Sequence, residues 1–70
     1  MADPVEQLDH PLLGQPVRDV ASGTEGKLVA VVQEVVRRVY GEAVYAPIAY
    51  IQMASGRELS TAAANVEAAR

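Results

Sequence analysis

His10 is the only histidine of the chain, and it is the first residue to ask for acid–base chemistry. General acid–base catalysis and metal ligation both need a histidine oriented by partners on a rigid frame. His10 lies between Asp9 and Pro11, in a proline-containing opening segment with no regular periodicity, so a solvated surface side chain is expected. Ser22, Ser55, Ser60, Thr24 and Thr61 are hydroxyl candidates for a nucleophile. None stands in a G-x-S-x-G elbow, and nothing in the sequence brings His10 to any of them. Turn and capping roles account for all five. The glycine-containing "SGTEG" lacks the Lys-Ser/Thr ending of a phosphate loop. There is no cysteine, which removes thiol chemistry, disulfides and cysteine-based zinc sites. No catalytic set converges. The expectation is a protein that is not an enzyme and uses no cofactor and no metal.

The residue types that remain suit contact rather than reaction. Tyr40, Tyr45 and Tyr50 recur at intervals of five. On a strand an odd spacing sends neighbours to opposite faces, so the three rings cannot form one ladder. They read either as partial cover for the core or as an interaction patch, because tyrosine joins an apolar ring to a polar tip. Arg37 and Arg38 lie beside Tyr40, and arginine with tyrosine is a frequent combination at interface hot spots. Glu34 and Glu42 balance the local charge. The candidate partner-binding residues are Arg37, Arg38, Val39, Tyr40, Val44 and Tyr45.

These residues must be positioned by a small domain. The chain has 70 residues and neither Trp nor Phe. A domain of this size buries only about 60% of its unfolded surface, so its core must come from Val, Leu, Ile, Ala and Met, and self-association is one way to supplement it. Net charge is −3 and the pI is about 4.9. That argues against non-specific nucleic-acid binding, which needs a basic footprint; no duplex DNA partner is expected. No apolar run approaches the roughly 18 residues that span a bilayer, and no secretory leader pattern opens the sequence. The expected location is the cytoplasm, with no membrane partner.

Residues 1–11 read as a mobile N-terminal arm, within which "DPVEQL" offers a short helix start at Asp3 and Pro4. Residues 12–70 form the domain. "GQPVRDVASGTEGK" reads as strand, turn, strand, with Gly23 and Gly26 in the turn. "KLVAVVQEVVRRVYGE" supports two readings. Leu28, Val31, Val32, Val35, Val36 and Val39 make a helical stripe ahead of Gly41. Yet half of the residues from Leu28 to Val39 are valine, which stiffens the side chain and favours strand. "VYAPIAYIQMA" reads as a strand with Pro47 at an edge, a bulge or a strand start. "ASGRE" turns the chain into a short strand from Glu58 to Thr61. The alanines after it suit a helical turn that Asn65 ends, and "NVEAA" suits a last strand hiding Val66.

The order of these features resembles the SH3-like small barrels. "LLGQPVRDVASGTEGKLVAVV" is similar to the first half of a PRC-barrel domain, with Gly14, Val17, Asp19, Gly26 and Leu28 at the matching positions. "AYIQMASGRELSTAAANVEAA" resembles short barrel proteins of actinomycetes through Tyr50, Ile51, Gly56, Glu58, Thr61 and Asn65. The resemblance spans about residues 12–69. The chain departs from it where "STAA" replaces a proline-bearing last strand, and where the "ALYDY"-like segment and paired Trp of peptide-binding SH3 domains are missing. The resemblance implies an all-β, SH3-like small barrel of about five short strands, with residues 28–36 extended, and carries over no catalytic residue.

The function expected is a non-enzymatic protein-interaction or accessory module, acting on another protein or on itself. The alternative is a nucleic-acid-binding accessory protein. That would require a basic groove built from Arg18, Lys27, Arg37, Arg38 and Arg57. The segment Arg37–Ala46 is expected to form a projecting, mobile hairpin tip and to be the main contact surface.

Overall fold

The computed structural model describes residues 7–69. Five antiparallel strands form one sheet: β1 (Pro16–Asp19), β2 (Glu25–Val39), β3 (Glu42–Gln52), β4 (Glu58–Ala62) and β5 (Val66–Ala68). A 3-10 turn, Ala63–Asn65, links β4 to β5. The order across the sheet is β4-β3-β2-β1-β5. The all-β expectation holds, with two corrections. β4 and β5 end the sheet on either side and do not pair, so the sheet is not closed. β2 and β3 are not short: they run for 15 and 11 residues.

The helical stripe of residues 28–39 belongs to a strand, not a helix. Its spacing arises from two bulges. The β2–β3 register slips between Leu28 and Ala30 and again between Val35 and Arg37, leaving Val29 and then Val36 as the extra residue. Each insertion shifts the two-residue alternation by one. Leu28 and Val31, three apart, therefore share a face, paired with Ile51 and Ala49. So do Val35 and Arg38. A strand with two bulges imitates a period nearer to that of a helix.

The core is Val17, Leu28, Val31, Ala49 and Ile51, with Leu8, Leu12, Ala63 and Val66 packed around it. Strand alternation supplies it: β1 alternates exposed and buried, putting Val17 and Asp19 inward. Each large aliphatic side chain so buried contributes about 1.5–3 kcal/mol. Gly26 lies in β2, not in the turn the sequence suggested. It pairs with Val17, and a Cβ there would meet Gln52 O at 2.4 Å and Ile51 Cγ2 at 2.8 Å. Close strand approach is what requires the glycine.

Residues 1–6 of the expected arm, and with them most of the expected short helix, lie outside the described residues. The remainder docks on β2: Gln7 bridges Val32, and Leu8 N–H donates to the Val31 carbonyl at 2.7 Å.

Candidate functional site

The supports on either side of the β2–β3 hairpin end early. β1 reaches only as far as Lys27 on β2, β4 only as far as Ile48 on β3, and Gln7 takes Val32. Beyond that level Gln33–Val39 and Glu42–Pro47 pair with each other alone. Among the described residues no strand flanks them. The result is a two-stranded ribbon about 20 Å long at the usual rise per residue.

The pairing partners along the ribbon are Gln33 with Pro47, Glu34 with Ala46, Val35 with Tyr45, Arg37 with Val44, Arg38 with Ala43, and Val39 with Glu42. Val35 and Tyr45 share the face that holds Leu28, Ile51, Val31 and Ala49 lower in the hairpin. The core face thus continues past the core. There Val35 is 45% exposed and Tyr45 58%. Val36 and Val39 are also exposed.

Tyr40 and Gly41 make the two-residue turn. Both have positive φ, 50° and 81°, as a type I′ hairpin turn demands. Asn or Asp usually precedes Gly in this turn, because a short polar side chain tolerates the left-handed region. Here a tyrosine occupies the strained position, fully exposed to solvent. Neither Tyr40 nor Tyr45 is core, and Tyr40 is not folded against its neighbours. Arg38 Nη1 donates to Gly41 O at 3.3 Å and steadies the turn.

Of the six sequence-derived contact residues, Arg37, Arg38, Val39, Tyr40 and Tyr45 are exposed and Val44 is half-buried. The ribbon divides them between its faces: Arg37, Val39 and Val44 lie on one and Arg38 and Tyr45 on the other, with Tyr40 in the turn. At its root, Tyr50 donates its hydroxyl to Glu34. That bond, followed by burial and by the negative charges of Glu34 and Glu58, raises the Tyr50 pKa above 10.0.

A second polar cluster closes the opposite part of the sheet, and only its parts were visible in the sequence. Asp19 is the buried charged residue, 2% exposed. Its Oδ2 accepts the Ser22 hydroxyl at 2.6 Å and the Ser22 N–H at 3.2 Å, and its Oδ1 accepts from Ala21 N–H at 3.3 Å and Thr61 Oγ1 at 2.9 Å. Asn65 Nδ2 in turn donates to Thr61 Oγ1 at 3.3 Å. The Ser22 hydroxyl above all, then Thr61 and the two amides, hold the Asp19 carboxyl below its ordinary 3.8 against the opposing effect of burial. Among the described residues the carboxylate has no cationic partner, and its bonds fasten the β1–β2 turn to β4. An aspartate three residues before a serine in a glycine turn was the signal for it.

The other candidates for chemistry stay apart. His10 Nδ1 accepts the Leu12 N–H at 3.0 Å and caps its own turn. Arg18 lies 3.4 Å from Glu67 in an exposed ion pair. Lys27 belongs to the end of the hairpin opposite Arg37 and Arg38, so the five basic residues do not line one groove. Among the described residues no group of three or more His, Cys, Asp or Glu side chains could hold a metal ion, and no helix is long and apolar enough to cross a membrane.

Comparison with protein-family models, curated proteins and solved structures finds no match.

Proposed function

We propose that this protein is a non-enzymatic interaction module of small-barrel type, and that it makes contact through the β2–β3 ribbon tip. Arg37, Arg38, Val39, Tyr40, Val44 and Tyr45 are the contact residues. One observation carries this reading: a fully exposed tyrosine occupies a left-handed turn position where asparagine would be more stable. Local strain of about 1–2 kcal/mol kept for an exposed ring is the pattern of a site held for contact. Exposed Val35 and Tyr45 pair on one face of the ribbon and carry the core face out to the turn as apolar surface.

Pull-down from the native host, with the wild type and the Tyr40→Ser/Tyr45→Ser variant as baits, tests the proposal. A partner, or untagged copies of the chain, retained by the wild type and lost with the folded variant is expected. Equal recovery by both baits contradicts it.

A further inference from the structure

Among the described residues nothing pairs with either edge of the ribbon above Val32, and the two edges differ. On the β3 side Pro47 interrupts the row, since it has no N–H to give. On the β2 side Gln33–Arg38 contains no proline, and nothing among the described residues pairs with it beyond the Gln7–Val32 bridge.

We propose that this β2 edge pairs, antiparallel and about a two-fold axis, with the same edge of a second copy of the chain. The inference rests on the interaction-module reading and names its partner. The argument is one of charge and register. The β2 edge carries Glu34 ahead of Arg37 and Arg38, opposite charges that antiparallel pairing about a two-fold axis sets against each other, as an isologous interface requires. In the register that sets Glu34 opposite the partner's Arg37, Gln33 falls opposite the partner's Arg38, and symmetry repeats both pairs.

Cross-strand neighbours must also share a face of the sheet. In a regular strand residues 34 and 37 point to opposite faces. The bulge at Val36 adds one residue and brings them to the same face, and it does the same for Gln33 and Arg38. The interruption of β2 is what makes the symmetric register possible. Pairing stops at Val32, where Gln7 is docked. In this register the partner's Val39 falls opposite Val32, and the partner's Tyr40 lies just beyond the paired segment.

Sedimentation of the full chain from about 1 µM to 1 mM tests this. The wild type is expected to reach twice the monomer mass. Arg37→Glu opposes two glutamates in both symmetric pairs and should raise the dissociation constant at least about ten-fold, with circular dichroism and melting unchanged. Glu34→Arg/Arg37→Glu, which reverses each pair, should restore the dimer. A wild type that stays monomeric overturns the proposal, as does an Arg37→Glu dimer of wild-type strength or a folded double variant no tighter than the single one. Glu34 also holds Tyr50, so a second readout covers a double variant that fails to fold. The wild-type dimer should then weaken with salt more steeply than Arg37→Glu, and equal slopes overturn the proposal. A monomeric wild type that still captures another protein through Tyr40 and Tyr45 defeats this inference alone. A dimer indifferent to both tyrosines defeats the tip reading and leaves the edge pairing.

Discussion

Thr61 donates its hydroxyl to Asp19 Oδ1 at 2.9 Å, joining two residues 42 apart in the chain. Asp19 ends β1 and Thr61 lies near the end of β4, so this bond ties together strands that are not neighbours in the sheet, while the Val20 N–H to Asn65 O bond at 2.9 Å continues the β1–β5 pairing. Polar fastening at that place supplements a core of only a few aliphatic side chains.

Asp19→Asn should lower the melting temperature by several degrees at neutral pH, because an amide cannot accept on both sides as the carboxylate does. The pH dependence has a definite sign. The folded-state pKa lies below the ordinary 3.8, so the contribution is complete above that value and is lost as pH falls through the folded pKa. The gap in melting temperature between wild type and Asp19→Asn should narrow on acidification below about pH 4. A gap that is constant with pH would show that the charge is not what matters.

Tyr50 and Glu34 give the opposite sign. The Tyr50 pKa is raised above 10.0, so its bond stabilises the fold fully below that pH and is lost as pH rises through the folded value. Ultraviolet titration should show one phenol ionising late, and Glu34→Ala should bring it back toward the ordinary value. Tyr50→Phe should melt below the wild type at pH 8, with the difference shrinking above pH 10.0. An unchanged titration in Glu34→Ala would refute the assignment.

Gly26→Ala should cost about 2 kcal/mol, or roughly 10 °C in a domain of this size. The added methyl would meet the Gln52 carbonyl at 2.4 Å, and backbone cannot swing aside. A melting temperature at or above that of the wild type would show that the strands separate more easily than the register implies.

Much of the fold could be read from the sequence because its signals are local. Valine density marked β2, the alanine run marked the 3-10 turn, and Val66 marked the last strand. The bulges at Val29 and Val36 could not be read, since they depend on pairing with β3 and leave a spacing that a helix also explains. Gly26 was misplaced for a similar reason: close approach to Gln52 is a tertiary fact, and turn glycines look the same in sequence. The hairpin turn within Arg37–Ala46 was legible because Gly41 marks it, and the surplus of apolar residues around it motivates the contact proposal. Asp19 was seen only as a pattern position, because its buried partner Thr61 comes from a distant strand.

Tyr40→Asn should stabilise the hairpin by about 1 kcal/mol, since asparagine tolerates the left-handed turn far better than tyrosine. The melting temperature should rise by roughly 4–8 °C while association weakens. A fall in melting temperature would mean that the ring supports the fold and is not held for contact.

The most direct test of the central claim, that the ribbon tip serves contact rather than the core, pairs thermal melting with sedimentation for Tyr40→Ser/Tyr45→Ser. Tyr40 is fully exposed and Tyr45 is 58% exposed, so the double change should move the melting temperature by only a few degrees and should abolish or strongly weaken association. Removing two buried rings would instead cost several kcal/mol, a large share of a small domain's stability. A large loss of melting temperature with no change in mass would contradict the account.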